Sequence, residues 1–340
     1  MTALGTVFLT GGTGSFGRSF IRHVLTHDLV DRVVSVSRNA EMRYRLEQEV
    51  PDPRLVVVPG DVRILDDLKA CYAGPVDVII HAAAEKHIGT GERHEQYVRS
   101  INYDGAQNLI RFAINREVAR VVALSTDKAC RPVNAYGRSK AAAEQAFVMA
   151  NQWVVPTKSR FAVVRYGNVV GSSGSVLPLF IRQRATGRLT ITDRRMTRFF
   201  MPLSDTSDFQ VFQEPGRRPV RSAVSLVLYA LMAMSGGEVF VPKIPSGTIE
   251  DLAKQVGPHQ VGPHCRIEEI GIRPGEKLHE DLIAPEESAW CRYFGGDEVF
   301  VLTPGHIRET LGQPKVPHGF SYTSADHPLP LRLEMTEALA

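Results

Sequence analysis

The run Thr6-Val-Phe-Leu-Thr10 leads straight into Gly11-Gly-Thr-Gly14-Ser-Phe-Gly17 and then into an amphipathic segment, Arg18 to Leu25. Strand, glycine turn and helix in that order let a backbone approach a pyrophosphate held at a helix N-terminus. Glycines alone carry little weight, because any tight βα turn uses some. With a strand before them and a helix after them, they commit the start of the chain to a βα unit built for a dinucleotide.

The pattern continues through the first half. Thr6 to Thr10, Arg32 to Ser37, Leu55 to Pro59, Val76 to His81, Arg120 to Ser125 and Phe161 to Tyr166 read as strands, and helical patterns separate them. Residues 103 to 118 place Ala106, Leu109, Ile110, Ala113 and Ile114 at helical spacing, which predicts a crossover helix packed on a parallel sheet. Beyond about residue 167 the chain becomes rich in Gly, Pro and Arg, with a helix expected near 224 to 234 and a strand near 238 to 241. Residues 206 to 223 read as an inserted surface loop. The repeated VGPH at 256 to 259 and 261 to 264 is too short for a repeat architecture and reads as a duplicated loop.

Composition narrows the partners. The 340 residues carry 40 Lys and Arg against 37 Asp and Glu, so the net charge is only +3 and no basic face suggests nucleic acid. The four cysteines, Cys71, Cys130, Cys265 and Cys291, show no metal or disulfide spacing and are expected reduced. Eleven histidines include His259, His264 and His279 in loops without ligand spacing, so no metal is expected. His81 and His87 are expected to pack beside a cofactor, Trp153 and Trp290 to be partly buried, and the arginines at 194, 195, 217 and 218 to be solvated. Apolar stretches such as Val76 to Ala84 fall far short of a membrane span, and a core strand at residues 6 to 10 leaves no room for a leader. The expected setting is the cytoplasm.

Where an NAD site would offer an acidic residue to the ribose, the second strand ends in Ser37-Arg38, and a hydroxyl beside a guanidinium suits a 2′-phosphate. NADP is therefore expected, with NAD as the alternative and Arg43 as a second cation. Ser125-Thr126-Asp127-Lys128 closes an apolar strand, and Tyr136-Gly-Arg-Ser-Lys140 follows. Four residues apart on a helix, Tyr136 and Lys140 share a face, and a nearby ammonium is expected to draw the phenol toward a working general base.

Together these segments resemble the extended short-chain dehydrogenases/reductases, and more closely the inverting UDP-N-acetylglucosamine 4,6-dehydratases of polysaccharide and pseudaminic acid pathways, in their short form. The likeness rests on TGGTGSFG at 10 to 17, GDVRILDDL at 60 to 68, HAAAEKH at 81 to 87, LSTDKA at 124 to 129, YGRSK at 136 to 140, RYGNVVGSSGSVLPLF at 165 to 180, MTRFFM at 196 to 201, VFVPKIPS at 239 to 246 and IRPGEKLHE at 272 to 280. The implied fold is α/β, a Rossmann-type doubly wound parallel sheet with a smaller C-terminal substrate-binding lobe. Residues 1 to 165 would mainly bind NADP, and 166 to 340 would mainly bind the sugar nucleotide, interleaved with the sheet.

The resemblance implies cofactor contacts from Gly11, Thr13, Gly14, Ser15, Phe16, Gly17, Ser37, Arg38, Arg43, Asp61, Val62, Ala82, Ala83, Ala84, Lys86, Asn102, Ser125, Tyr136, Lys140, Tyr166, Asn168 and Val169. It implies substrate contacts from Lys86, Thr126, Asp127, Lys128, Tyr136, Asn168, Ser173, Ser175, Val176, Arg198, Met201, Pro245, Arg273 and Glu276, with the arginines on the diphosphate. Thr126, Asp127, Lys128, Tyr136 and Lys140 would be catalytic. Tyr136 would take the C4 hydroxyl proton as hydride leaves C4. Lys128, its pKa lowered by desolvation, would remove the C5 proton, and Asp127 would protonate the departing C6 hydroxyl. Relatives form homo-oligomers, dimers or hexamers. The insertion at 206 to 223 departs from the family pattern and bears on the substrate. An elimination stopping at a 5,6-alkene, a retaining dehydratase, a C4 epimerase and a non-catalytic NADP or nucleotide-sugar binder are the competing readings.

Overall fold

A computed structural model describes residues 4–153, 158–205, 209–211, 220–256, 266–295, 299–303, 313–326 and 333–335. Six parallel strands, β1 (Thr6–Thr10), β2 (Arg32–Ser37), β3 (Leu55–Pro59), β4 (Val78–His81), β5 (Arg120–Thr126) and β6 (Arg160–Tyr166), lie in the order 3-2-1-4-5-6. The sheet then continues past β6 with Val239–Pro242, parallel, and with Val299–Leu302 and Cys291–Phe294, both antiparallel. Thus the C-terminal half of the chain completes the sheet begun by the first. β1 and β4 are buried along their whole length, which is why they read as unbroken apolar runs rather than as alternation.

The sequence places these strands within two residues. β4 starts at Val78 rather than Val76 because the Asp77 carboxylate turns aside to accept the Thr6 N–H at 2.8 Å. The helix expected from residue 103 is regular only over Gly105–Asn115, since Ser100–Asp104 form a wider π-helical turn. Helix Ser15–Thr26 buries Phe16, Phe20, Ile21, Val24 and Leu25 along one side, as an amphipathic segment should.

A second, smaller cluster of buried side chains, among them Leu177, Phe180, Ile191, Phe200 and Leu252, joins helices Val176–Arg184 and Ile249–Val256 to strands Arg188–Ile191 and Thr197–Met201. The 206 to 223 stretch is not wholly loop: Phe209–Val211 pairs antiparallel with Leu333–Met335, and Ser222 caps helix Ala223–Ala233. Residues 206–208 and 212–219, Arg217 and Arg218 included, lie outside the described residues, as do 257–265 with most of the VGPH duplication, His259, His264 and Cys265. Cys71, Cys130 and Cys291 are free thiols. No helix among the described residues is long and apolar enough to cross a membrane.

One buried cation ties the parts together. Arg165, at the end of β6, donates to Glu287 at 2.8 and 2.9 Å, to the Leu282 carbonyl at 2.9 Å and to both oxygens of Glu144, which sits on helix Ala135–Ala150. Truncating it leaves two carboxylates with little water and no counter-charge. Arg165→Ala is expected to lower the unfolding free energy by about 3–5 kcal/mol, read as a fall in the urea midpoint; a change under about 1 kcal/mol contradicts this.

Candidate active site

The strand order reverses between β1 and β4, and in open α/β sheets the crevice forms at the carboxyl ends beside that reversal. Here a cleft of about 630 Å³ runs from the glycine turn after β1, past the ends of β4, β5 and β6, to the loops around 170–176 and 270–280. It is within the range of small-ligand pockets.

The glycine turn is cut to a ligand's shape. Gly11 sits at φ +74°, and a Cβ there would lie 2.6 Å from the Ala83 nitrogen. A Cβ on Gly17 would lie 2.4 Å from the Gly12 Cα, so side chains at either position would force the turn apart. Gly14 precedes helix Ser15–Thr26 and no side chain caps that helix, leaving its positive end to a pyrophosphate. These residues fit a dinucleotide. At the far end, the Ser37 hydroxyl bonds Thr13 at 2.9 Å and Arg38 stands 3.7 Å from Asp61, which is also gripped by Arg63 at 2.6 Å. Arg43 differs from expectation: it braces the loop by donating to the carbonyls of Ser37 and Arg38 at 2.8 Å each. Asn102 is likewise a brace, fully buried and bonded to both backbone groups of Glu85 and to Ser139, so it holds the Ala82–Glu85 segment rather than facing the cleft. Val62 packs against Gly105.

Thr126, Lys128, Tyr136 and Lys140 all line the cleft, together with Ser125, Tyr166, Asn168 and Val169. The Asn134 side chain accepts the Gly137 N–H at 2.7 Å and so starts the helix that carries Tyr136 and Lys140. Two expectations about charge need correction. Lys140 does not lower Tyr136: its ammonium donates to the Leu124 carbonyl at 2.6 Å, and burial, partly countered by Glu144, brings its own pKa down to about 8. Burial pushes the Tyr136 phenol up to about 12, and the groups that pull the other way are Lys128 and the Thr126 hydroxyl.

Lys128 is the second correction. Burial opposes its charge, but Asp127 and Glu280 outweigh that and hold it firmly as an ammonium. Its Nζ lies 3.0 Å from Asp127 Oδ1, 3.4 Å from Glu280 Oε1 and 3.4 Å from Asn168 Oδ1. Asp127 is fully buried behind the cleft wall and also accepts the Thr126 hydroxyl at 2.9 Å. Glu280 was not singled out from the sequence. It closes the IRPGEKLHE run, but nothing in spacing ties it to Lys128, far away along the chain; only the fold brings them together.

On the sugar side, Ser173 joins both walls: its N–H donates to Ser15 Oγ at 3.0 Å and its carbonyl accepts Lys86 Nζ at 2.6 Å. Ser175 and Val176 line the cleft beside it. Arg273 also lines it, largely exposed and, among the described residues, paired only with Glu276 at 2.8 Å, so its donors can turn to a diphosphate. Arg198 lines the cleft too, but its guanidinium is largely engaged, donating to the carbonyls of Thr197, Lys277 and Leu278 at 2.7–3.1 Å. Met201 and Pro245 were expected against the substrate, but both are buried outside the cleft lining, with Met201 in the main core. His81 is buried between Thr10 and Phe147, His87 pairs with Glu85 at the surface, and Trp153 is more exposed than expected. Arg194 and Arg195 are paired with Glu250 and Asp193. No group of three or more His, Cys, Asp or Glu among the described residues could hold a metal.

A doubly wound sheet, a glycine turn after β1, and Thr126 facing Tyr136 and Lys140 on one helix define an extended short-chain dehydrogenase/reductase. Within that class the chain belongs to the polysaccharide biosynthesis protein family, whose model matches residues 7–215 and 219–297. It is 38% identical over 336 residues to the UDP-N-acetylglucosamine 4,6-dehydratase (inverting) of Campylobacter jejuni subsp. jejuni serotype O:2, covering 95% of this chain and 93% of that one. It is also 38% identical to the UDP-glucose 4-epimerase of Rickettsia akari, covering 86% and 81% respectively. The X-ray structure of Pen from Bacillus thuringiensis superposes with a TM-score of 0.85 at 29% identity, covering 97% of this chain and 95% of that one.

Lys140 carries a measurable cost. In the unfolded chain it titrates near 10.5 but in the fold near 8, so between those values only the unfolded state holds the proton and stability rises with pH. Lys140→Met is therefore expected to raise the unfolding free energy below pH 8 by up to about 3 kcal/mol, with the gain fading toward about pH 10. A pH-independent stability difference contradicts the assignment.

Proposed function

We propose that the protein is an NADP-dependent dehydratase that converts UDP-N-acetylglucosamine to a 6-deoxy-4-keto sugar nucleotide with inversion at C5. The observation that carries this reading is Lys128, held by the buried Asp127 and set beside Thr126 and Tyr136 in the cleft. Removing and replacing a hydride at C4 needs only Thr126, Tyr136 and Lys140; a second acid–base group is what an elimination adds.

When bound against the glycine turn, the nicotinamide cofactor supplies a hydride acceptor and later donor. Thr126 holds the C4 oxygen and Tyr136 takes its proton, the Lys128 charge and the Thr126 hydrogen bond favouring the phenolate against burial. The resulting ketone acidifies the C5 proton. Lys128, once a free amine, removes it, and the ammonium so formed passes that proton to the C6 hydroxyl, which leaves as water; Asp127, buried behind the cleft wall, holds Lys128 in place instead of reaching C6 as expected. Ser173, Lys86 and Arg273 close around the diphosphate. Residues 1–165 thus mainly serve the cofactor and 166–340 mainly the sugar nucleotide, in a cytoplasmic homo-oligomer.

The Rickettsia relatives favour a second reading, C4 epimerisation. NMR of the purified protein with UDP-N-acetylglucosamine in deuterium oxide decides between them. The expected product is the 6-deoxy-4-keto sugar with deuterium at an inverted C5. A 4-epimer without deuterium selects the epimerase, an exocyclic alkene selects the interrupted elimination, and unchanged substrate selects a binding protein.

Ser37 and Arg38 beside the glycine turn support NADP over NAD. Arg38→Ala is expected to raise the KM for NADP about 10-fold or more while leaving that for NAD nearly unchanged, since one charge-assisted phosphate contact is lost. Equal effects on both cofactors contradict the preference.

A further inference from the structure

Lys128 presents a problem to the proposed chemistry: a C5 base must be a free amine, yet its side chain is held as an ammonium between two carboxylates. The two are not equivalent. Asp127 Oδ1 accepts hydrogen bonds from both Thr126 and Lys128, at 2.9 and 3.0 Å. The Glu280 carboxylate, 2% exposed, accepts no hydrogen bond among the described residues, and its Oε2, like Asp127 Oδ2, is a buried oxygen without a hydrogen-bond partner. The groups facing it are Lys128 at 3.4 Å, Lys277 at 3.7 Å, Arg198 at 3.9 Å and Asp127. Its backbone is fixed independently, by Ser324, whose hydroxyl accepts the Glu280 N–H at 3.0 Å and whose N–H donates to the Glu280 carbonyl at 2.8 Å.

Resting on the dehydratase reading, we propose that Glu280 is a proton-accepting positioning residue that takes the Lys128 proton and so frees the amine for the C5 step. An Nζ–H bond breaks with its electron pair staying on nitrogen, and an O–H bond forms on Glu280. A buried ion pair becomes a neutral amine and a neutral carboxylic acid, with no net change of charge. Burial, the largest influence on this carboxyl, favours its protonated form, which suits the assignment. The return of the same proton restores the ammonium after C5 is reprotonated.

The test is Glu280→Gln, which keeps size and polarity but cannot accept the proton. Its thermal melting and its KM for UDP-N-acetylglucosamine should stay near those of the wild type. Reduction of the cofactor in a single turnover should keep its rate within about twofold, whereas deuterium entry at C5 and 6-deoxy product should fall about 100-fold, within the range for loss of a general acid–base partner. The ascending, acid-side limb of the kcat profile should also move to higher pH, because solvent must then deprotonate Lys128. Glu280→Asp, which retains a proton acceptor, should recover part of the rate and return the profile toward the wild type. If Glu280→Gln misfolds, Glu280→Ser, which fits the site but cannot take the proton, decides: a pH profile and C5 exchange rate identical to the wild type overturn the proposal. Dehydration by Glu280→Gln at the wild-type rate overturns it alone and leaves the dehydratase reading intact. A wild-type protein that never exchanges C5 overturns both.

Discussion

A guanidinium that is almost wholly buried must be met by charge, and Arg165 meets it from three directions at once. Glu144 comes from the helix that carries Tyr136 and Lys140, Glu287 and the Leu282 carbonyl come from the C-terminal segment just past Glu280, and Arg165 itself ends β6. Because none of these charges can be left unpaired cheaply, the helix, the strand end and the C-terminal segment are fixed relative to one another. The distance from Lys128 to Glu280 follows from that fixing, as does the alignment of Thr126 with Tyr136.

The parallel sheet was legible because its signal is local. Each βα unit has its own apolar run, and a strand buried on both faces needs nothing more to be recognised. Gly11 and Gly17 were legible for a related reason: a close backbone approach admits only one residue type. Charge was less legible. The pairing of Tyr136 with Lys140 is correct in spacing, but which ammonium faces the phenol depends on where Lys140 finds a carbonyl, and that is a tertiary fact. Likewise Lys128 was expected to lose its charge through burial, which holds for a lone amine; two carboxylates, one of them from the far end of the chain, reverse the balance. Arg198 and Arg43 show the same limit, since a guanidinium aimed at phosphate and one spent on carbonyls look identical in sequence.

The site as a whole therefore joins two regimes. At the glycine turn the backbone does the work, with shape and a helix terminus offered to a dinucleotide. Around Lys128 side chains do it: two carboxylates and three cations share a space that water barely enters, so moving one proton between them redistributes charge within the pocket without moving the chain. Burial that raises Tyr136 and lowers Lys140 belongs to the same economy of few, closely set charges.

The central claim is that Lys128 separates elimination from simple oxidation at C4. Its most direct test is a single turnover of Lys128→Gln with UDP-N-acetylglucosamine in deuterium oxide, followed by nicotinamide absorbance and NMR. The account requires reduced cofactor and a 4-keto sugar to accumulate while C5 exchange and 6-deoxy product fall about 100-fold or more. Deuterated 6-deoxy product forming at the wild-type rate would contradict it.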